Sequence, residues 1–571
     1  MTSAIDKGRD RFRWLTGVAN YAASSHARAV AVLAITALLT FLPGFFQIPP
    51  MDRDEARFAQ ATKQMLETGE YVDIRFQGEV RYKKPVGIYW LQAAVVKTAE
   101  ALGVPQARGK IWLYRIPSLL GAIGAVLLTY WAALAFVPRR AALLAGLMMA
   151  TCVLLGVEAR LAKTDAVLLF TCVTAMGAMA RAYLGERRPP PPGLAGWALP
   201  GIFWTALAAG VLIKGPLILL FVGLATVTLA VADRSLRWVL VLRPAVGVVW
   251  FALLVLPWFI AILNRAGETF IAGSVGEDML PKIFGNKEGH GAPPGYYSLL
   301  FWVTFWPGAA LAAMAVPSIW AARREKGARF LLAWIMPAWI LFELVVTKLP
   351  HYVLPVYPAV AILIAGVVDS QMLAHQPWLR RGTTWWFVLP MILSVGAIAA
   401  LVKFGQQLGL LAWPFAAASM IYGLWAWRLY QADGPERALL RAMVASILLA
   451  VAIYAVVVPS LNSVFPSVAL SQIVRDTDCK NPQIVAAGYE EPSLVFLTST
   501  NTKFADGTDA ADFLRHGGCR LALIESRHER AFLRRAEAIG LRYAPPQRFE
   551  GFNYSVGRAV TISVYRSEEG P

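Results

Sequence analysis

The sequence predicts a polytopic α-helical membrane protein with a small C-terminal α/β domain. Its 571 residues are 57% hydrophobic and only 16% charged, and the mean hydropathy is +0.52, which is too apolar for an ordinary soluble domain. Apolar runs of about 20 residues, the length that spans a bilayer as a helix, recur along most of the chain. After residue 460 the pattern changes to short strand-like and helix-like segments.

The apolar runs predict about thirteen spanning helices. They lie at 28–47, 111–136, 141–157, 166–184, 197–213, 215–232, 244–263, 298–321, 330–347, 352–369, 384–402, 409–428 and 439–460. An odd number of spans places the two chain ends on opposite sides of the membrane. The first run begins too late for a cleavable signal peptide and lacks a small-residue cleavage site, so it is interpreted as the first span.

The distribution of Lys and Arg predicts the orientation of these spans. Basic segments such as DKGRDRFRW, VPRR, GERRPPPPG and ARREKGAR alternate with longer or less basic loops, and short basic loops face the cytoplasm. The formal net charge of +18 is explained by these loops, which argues against nucleic-acid binding. We therefore expect a multi-pass membrane protein whose N-terminus lies in the cytoplasm.

The residues 461–571 are expected to form a soluble α/β domain outside the cytoplasm, which follows a membrane domain at 1–460. The segments PQIVAAGY, SLVFLTS, CRLALIES and AVTISVYR have strand character, and HERAFLRRAEAIG has helix character. Cys479 and Cys519 belong to this part of the chain. In an oxidising compartment they are expected to form a disulfide, although two buried free thiols would fit the sequence as well.

A charged segment follows the first span, MDRDEARFAQATKQM at Met51–Met65. Phe58 and later apolar residues at helical spacing predict an amphipathic interfacial helix. Asp52 and Glu55 have the spacing of a capping pair at the helix start. Asp54 has no capping role in this pattern, and Arg57 follows it on the same face of the predicted helix. We therefore predict that Asp54 serves chemistry, whereas Asp52 and Glu55 start the helix.

Further charged residues occur in the loops that the predicted topology places on the outer face. They are Arg81, Tyr82, Lys83 and Lys84 in RYKKP, Arg160, Lys163 and Asp165 in ARLAKTD, Lys214 in IKGP, and Lys348, His351 and Tyr352 in KLPHY. Each alone has a structural explanation, because border lysines extend toward the membrane surface and Asp165 could cap the next helix. Together they run against the usual depletion of basic residues on the outer face. A phosphate-bearing ligand would account for them.

Other site chemistries find little support in the sequence. The chain has no phosphate-binding P-loop, no dinucleotide fingerprint, no zinc-finger spacing and no HExxH helix. His290 and His351 could act as metal ligands, or they could be hydrogen-bonded loop residues. No cofactor is required by these motifs, and a divalent metal stays an open alternative.

Several segments carry a resemblance to a known family. RDEARFAQATKQMLETGEYVDIRFQGEVRYKKPVGIYWLQAA, ARLAKTDAVLLF, IKGPL, HGAPPGYYSLLFWVTFWPG and TKLPHYVLPVYPA occur in this order. The chain thereby resembles membrane glycosyltransferases of the GT-C type, in the group that includes protein O-mannosyltransferases and the lipid A 4-amino-4-deoxy-L-arabinose transferases. The resemblance covers nearly all of 28–460, whereas the C-terminal part is less diagnostic.

The resemblance implies transfer of a sugar from undecaprenyl phosphate at the outer face of the inner membrane. It assigns a catalytic carboxylate to Asp54 and to Asp165, and carrier-phosphate binding to Lys84. The specific expectation is transfer of 4-amino-4-deoxy-L-arabinose to a phosphate of lipid A, the lipopolysaccharide modification linked to polymyxin resistance, by a monomer embedded in membrane lipids. The aminoarabinose enzymes have an acidic residue before the lysine, where this chain has Lys83. That difference bears on the identity of the sugar or the acceptor.

The expected chemistry needs positive charge on the leaving phosphate, which Lys84, Arg57 and Tyr352 could supply. With a hydroxyl acceptor Asp54 would act as general base, whereas a phosphate acceptor is already ionised and would need Asp54 for orientation. A single carboxylate on the nucleophile side favours inversion. Two alternatives stay open: a hexosyl or mannosyl transferase acting on protein or another glycan, and a flippase of polyprenyl-linked glycans. A flippase would place its ionisable residues near the membrane midplane.

Overall fold

The computed structural model describes residues 13–185, 193–279, 291–405, 409–477 and 481–568. The first half of the chain is helical, with one short antiparallel hairpin of β1 (Arg75–Phe76) and β2 (Glu79–Val80). Its helices are α1 (Arg13–Ala23), α2 (His26–Phe41), α3 (Asp54–Thr68), α4 (Gly87–Ala101), α5 (Ile111–Ala133), α6 (Arg139–Ala150), α7 (Val153–Glu158), α8 (Asp165–Leu184), α9 (Ala195–Lys214), α10 (Leu217–Asp233), α11 (Pro244–Ala266) and α12 (Glu268–Ile271).

The second half continues the helical part and ends in a mixed domain. Its helices are α13 (Tyr296–Thr304), α14 (Ala309–Ala321), α15 (Lys326–Leu344), α16 (Tyr357–Asp369), α17 (Pro377–Arg380), α18 (Trp385–Ala400), α19 (Ala412–Arg428), α20 (Tyr430–Asp433), α21 (Pro435–Ala450), α22 (Pro466–Arg475), α23 (Pro492–Leu497), α24 (Gly507–Arg515) and α25 (Ser526–Ala538). A short 3₁₀ helix at Pro350–Val356 precedes α16.

The polytopic helical fold expected from the sequence is confirmed. Within the described ranges, eight helices are long and apolar enough to cross a membrane, and α2 and α10 are shorter apolar helices. The predicted run 298–321 is not one straight helix, because α13 and α14 meet at 120°, with Pro307 and Gly308 at the break. The count of thirteen spans stays a prediction.

The C-terminal part contains a five-stranded sheet in the order β4-β3-β5-β7-β6. Its strands are β3 (Gln483–Ala487), β4 (Lys503–Phe504), β5 (Arg520–Glu525), β6 (Gln547–Asn553) and β7 (Arg558–Arg566). β3 is parallel to β4 and β5, whereas β7 is antiparallel to β5 and β6. Two apolar clusters, one on each side of this sheet, include Leu521 and Leu523 in one and Ala522 and Ile524 in the other, as expected for alternating strand residues.

Three of the four segments with predicted strand character form β3, β5 and β7, and the predicted helix is α25. The prediction for SLVFLTS is wrong, because Pro492–Leu497 is the helix α23. A short apolar run does not distinguish a strand from a buried helix, and Pro492 occupies the first helical turn, where proline is favoured. Cys519 is disulfide-bonded, and Cys479 lies outside the described residues.

The helix predicted after the first span is α3, but its environment differs from that of a surface helix. Polar residues such as Gln60 and Lys63 are buried as well as Phe58 and Met65, because α3 is enclosed between the helical part and the C-terminal domain. Gln60 donates to Thr500 at 2.7 Å, and Lys63 donates to the carbonyl of Phe496 at 3.0 Å. The C-terminal domain is thus docked on α3.

The predicted capping role of Asp52 is wrong. Its carboxylate accepts a hydrogen bond from the backbone N–H of Ser493 at 3.1 Å, and its own N–H donates to the Tyr554 hydroxyl at 2.5 Å. The residue before α3 is Arg53, whose side chain makes no cap bond. Asp52 therefore joins the loop before α3 to the C-terminal domain, an interaction that no local spacing rule could anticipate.

Candidate active site

A buried cluster of charged side chains lies where several helix ends meet. Glu158 ends α7, Asp165 begins α8 and Lys214 ends α9. Lys163 lies in the short turn between α7 and α8, and His351 lies in the 3₁₀ helix before α16. We call Glu158, Lys163, Asp165, Lys214 and His351 the charge cluster.

Ion pairs connect the members of the charge cluster. The Lys163 Nζ lies 3.1 Å from Glu158 Oε2 and 3.7 Å from Asp165 Oδ2, and Lys214 forms an ion pair with Asp165. The His351 ring bridges the carboxylates, with Nδ1 3.6 Å from Glu158 and Nε2 3.5 Å from Asp165. Two carboxylates thereby balance two ammonium groups, which is the condition under which buried charges are tolerated.

The protonation of Lys163 is controlled by this arrangement. Burial alone lowers the pKa of its ammonium group, but the carboxylates of Glu158 and Asp165 raise it, and the net pKa lies above the ordinary value. The charge of Asp54 adds to this increase, so Asp54 lies within electrostatic reach of the cluster. Lys163 therefore remains a cation at neutral pH in a water-poor setting, where its charge acts strongly on a nearby anion.

Asp54 differs from Asp165 in its surroundings. Asp54 is the first residue of α3 and its side chain is exposed, whereas Asp165 is buried and contacts Lys163, Lys214 and His351. A carboxylate whose oxygens are already paired with cations is a poor proton acceptor, whereas an exposed carboxylate can contact a ligand. Of the two predicted catalytic carboxylates, only Asp54 is thus open to a substrate.

Lys84 and Tyr352 lie around the same cluster. Lys84 is half-buried, its Nζ donates to the carbonyl of Lys83 at 2.8 Å, and its charge acts on His351. The Tyr352 ring lies 5.2 Å from the His351 ring and 5.7 Å from the Lys214 Nζ. The structure therefore brings Lys84, Tyr352 and the charge cluster into one region, beside Asp54.

Other predicted site residues lie elsewhere or have their donors occupied. Arg160 donates to the carbonyls of Pro43, Thr40 and Gly156, and Lys348 donates to the carbonyl of Val345. These contacts tie the backbone of the loops and helix ends together. A substrate role for Arg160 or Lys348 would require the side chain to leave such partners, so for these residues binding stays a prediction.

The RYKKP loop is anchored by its first two residues. The Tyr82 hydroxyl donates to Asp73 at 2.8 Å, and burial, followed by this hydrogen bond, raises the pKa of Tyr82 to about 12. The Arg81 guanidinium stacks 5.1 Å from the Phe58 ring, and its Nε is buried without a hydrogen-bond partner in the described part of the chain. Lys83 is exposed. Arg57 lines a separate cavity against the C-terminal domain.

A second buried ion pair holds the region together. Glu55, next to Asp54, accepts from Arg115 at 2.7 and 2.9 Å, from the N–H of Met51 at 2.8 Å and from the N–H of Ala162 at 2.8 Å. Arg115 also donates to the carbonyls of Phe45, Ile48 and Pro49. This pair joins α5, the start of α3 and the turn that carries Lys163.

Glu158 and Arg115 are therefore central residues that were missing from the predicted site, whereas Lys214 was among the charged residues predicted on the outer face. A signal existed for each, because an ionisable residue at the end or inside of an apolar segment is seldom accidental. Glu158 stands in EARLAKTD and Arg115 within the apolar run 111–136. Arg115 pairs with Glu55, and Glu158 contacts His351 as well as the nearby Lys163. The pairs with Glu55 and His351 join distant segments of the chain and were therefore not predictable.

Part of the charge cluster has the composition of a metal site. Glu158, Asp165 and His351 each offer one ligand atom, and these atoms lie within 4.8 Å of one another. Carboxylate and imidazole ligands suit a divalent cation such as zinc or manganese. Lys163 and Lys214 already neutralise the same carboxylates, so a cation would have to displace them. The other predicted candidate, His290, lies outside the described residues.

Comparison with known proteins identifies relatives of the chain. The family described as dolichyl-phosphate-mannose-protein mannosyltransferase matches residues 31–267. An undecaprenyl phosphate-alpha-4-amino-4-deoxy-L-arabinose arabinosyl transferase of Edwardsiella ictaluri is 26% identical over 408 residues, 70% of each chain. The relative of the same name from Pseudomonas aeruginosa is 28% identical over 373 residues, and the match covers 64% of each chain.

Solved structures show the same fold. ArnT from Cupriavidus metallidurans in the apo state superposes with a TM-score of 0.71 at 18% identity, covering 95% of this chain and 98% of that one. The structure of that protein bound to undecaprenyl phosphate gives 0.69 over the same shares. The chain therefore has the multi-pass helical fold of ArnT. In sequence it is similar to the protein mannosyltransferases over residues 31–267 and to the aminoarabinose transferases over 70% and 64% of its length in the two relatives.

Proposed function

We propose that this chain transfers 4-amino-4-deoxy-L-arabinose from undecaprenyl phosphate to a phosphate group of lipid A. The observation that carries the proposal is the juxtaposition of the exposed Asp54 with the buried charge cluster, in a chain whose relatives are named as undecaprenyl-phosphate aminoarabinose transferases. The cations of the cluster suit a phosphate leaving group, and no nucleotide site is required.

The reaction would be a displacement at the anomeric carbon of the sugar. An oxygen of the acceptor phosphate attacks this carbon, the bond to the carrier phosphate oxygen breaks, and the electron pair leaves on undecaprenyl phosphate. Lys84 and Lys163 stabilise the charge that develops there. Since a phosphate nucleophile is already ionised near pH 7, Asp54 would orient the acceptor or pair with the amino group of the sugar. One displacement inverts the configuration.

In this mechanism Asp165 acts through its neighbours. Its contacts with Lys163, Lys214 and His351 hold two cations and an imidazole at fixed positions, and such preorganisation is what makes charge stabilisation effective. Glu158 would hold Lys163 from the other side at 3.1 Å. Asp54 would be the catalytic residue that touches substrate, and Asp165 a positioning residue.

The test is mass spectrometry of lipid A from a bacterial strain that lacks its own transferase but makes the lipid-linked sugar. Expression of the wild-type chain should add one aminopentose to lipid A, and Asp54→Asn should not. If lipid A stays unmodified while a protein or another glycan gains a hexose, the second candidate applies. The match to the protein mannosyltransferase family over residues 31–267 is the observation that favours this hexosyl or mannosyl alternative.

The proposed topology has a cytoplasmic N-terminus and a periplasmic C-terminal domain, with the protein acting as a monomer in the inner membrane. The lysine and arginine distribution of the loops and the disulfide of Cys519 support it. A reporter enzyme that is active only in the periplasm should be active when fused after residue 571. Activity of a cytoplasmic reporter at that position would reverse the topology.

A further inference from the structure

A cavity of about 550 Å³, separate from the charge cluster, lies between the start of α3 and the C-terminal domain. It is lined by Arg53 and Arg57 from the membrane part and by residues that follow β3, follow β5 and flank the turn between β6 and β7. The charged lining residues from the C-terminal domain are Glu490, Glu491, Arg527 and Arg558. The volume lies within the range of ordinary ligand sites.

The four arginines of this cavity keep guanidinium N–H donors that are not used within the described ranges of the protein. Glu525, buried at the end of β5, accepts from Arg527 at 2.8 and 3.1 Å and from Arg558 at 2.5 and 3.0 Å. This fixes two guanidinium groups side by side while each keeps further N–H donors, since a guanidinium has five. Arg53 uses one donor, to the carbonyl of Ser555 at 2.7 Å. Over the described residues, the Arg57 side chain has no hydrogen-bond or ion-pair partner.

The carboxylates of the cavity narrow the chemistry of the ligand. Glu490 is exposed, and Glu491 accepts from the amide of Asn553 at 2.9 Å, so acceptor atoms stand beside the guanidinium donors. A free phosphate would use the donors but would meet these carboxylates with like charge. A phosphorylated sugar would use both the guanidinium donors and the carboxylate acceptors. Its phosphate pairs with arginine, and its hydroxyl groups donate to carboxylates.

The position of Arg57 connects this cavity to the candidate active site. It follows Asp54 by three residues on α3, and such residues are neighbours on a helix surface, with Cβ atoms about 5–6 Å apart. Asp54 lies within electrostatic reach of Lys163, whereas Arg57 lines the cavity. A sugar head group in the cavity would therefore present a reacting group next to Asp54.

We propose that this cavity binds the phosphorylated sugar head group of the acceptor, and that the C-terminal domain thereby selects the acceptor through Arg527 and Arg558. The proposal rests on the proposed function, because it takes the acceptor to be a phosphorylated glycolipid. It adds a binding site separate from the lipid carrier and gives the C-terminal domain a role in the reaction.

The experiment uses the full-length protein in lipid nanodiscs and two probes. The first probe is a deacylated glucosamine disaccharide that carries two phosphomonoesters, and the second is inorganic phosphate. Binding of each is measured by calorimetry for the wild type, Arg57→Gln and Arg527→Gln, one variant on each side of the cavity. Arg534→Gln is the matched control, since Arg534 is an exposed residue of the same helix α25 and lies outside the cavity.

Both cavity variants should weaken binding of the disaccharide and raise the KM for the acceptor by about tenfold, the loss typical of one charge-assisted contact. The KM for the lipid-linked donor should not change, and Arg534→Gln should behave as the wild type. Unchanged disaccharide binding in both variants would overturn the proposal. So would inorganic phosphate binding as tightly as the disaccharide with the same sensitivity, since the cavity would then take free phosphate.

The same measurements separate this proposal from the proposed function. If the wild type transfers sugar to no phosphorylated glycolipid yet binds the disaccharide, and the variants lose that binding, the function fails and the cavity assignment stands. If transfer to the glycolipid proceeds with an unchanged acceptor KM in both variants, the function stands and the cavity assignment fails.

Discussion

Breaking the ion pair between Glu55 and Arg115 should destabilise the whole region around Asp54. The substitution Arg115→Met keeps an unbranched apolar side chain similar to the arginine stem but removes the guanidinium. It leaves the Glu55 carboxylate buried without its cation, since the side chains of Arg115 and Glu55 are only 0% and 1% exposed. The carbonyls of Phe45, Ile48 and Pro49 also lose a donor.

The magnitude follows from the burial of the pair. Removing one partner of a buried ion pair typically costs about 3–5 kcal/mol, because an uncompensated charge is left behind. Glu55→Gln should cost a similar amount, since one carboxylate oxygen with two hydrogen-bond donors around it becomes an NH₂ group. The double variant removes both charges, so its loss should be smaller than the sum, by about 2 kcal/mol or more.

Unfolding of the purified protein in mixed micelles of a mild detergent and a denaturing one would measure these free energies. Arg140→Met is a suitable control, because its pair with Glu436 is 44% and 27% exposed and should contribute about 0–1 kcal/mol. The stabilising role of this pair would be refuted if the losses in free energy of unfolding were additive in the double variant. It would also be refuted if Arg115→Met cost no more than the control.

Three further predictions concern single residues. Asp54→Asn should abolish sugar transfer while donor binding stays normal. If the variant transferred sugar at the wild-type rate, Asp54 would not be a catalytic residue. Lys84→Ala should weaken binding of undecaprenyl phosphate by about 2–3 kcal/mol, measured by titration. An unchanged affinity would show that the carrier phosphate binds to other residues. Burial, and then Glu491, raise the pKa of Asp52 from 3.8 to about 7. Between these two pKa values the folded state binds one more proton than the unfolded state, so the free energy of unfolding should fall as pH rises from about 4 to 7. Asp52→Asn should remove this pH dependence, measured by unfolding at several pH values. A variant with the same pH dependence as the wild type would contradict the assignment to Asp52.

The helical architecture was accessible from the sequence because apolar length and charge distribution are local properties. The predicted runs around 111–136 and 166–184 coincide with α5 and α8 within a few residues, since the run of apolar residues determines both. Helix breaks are less visible, as the bend between α13 and α14 shows. The short run at Pro492–Leu497 was misassigned for a related reason, because its few residues carry no clear periodicity.

The candidate site was predictable only in part. Asp54, Lys84, Lys163 and Asp165 were found from charged residues in predicted outer loops and from a family resemblance, and the structure gathers them in one region. Glu158 was not singled out, although it lies only five residues before Lys163. Its role depends on the distance to Lys163 and His351, and this distance is set by the turn between α7 and α8 and by the packing of a segment almost 200 residues away.

The division between Asp54 and Asp165 follows from where each lies relative to the cations. Asp165 begins a helix whose interior is buried, so its charge must be balanced by protein groups, and Lys163 and Lys214 do this. Asp54 begins a helix at an open edge and has no such requirement. Replacing Asp165 should therefore disturb the lysines as well as the reaction, whereas replacing Asp54 should affect the reaction alone. A measurement of Asp165→Asn that showed normal stability and normal donor binding would remove this distinction.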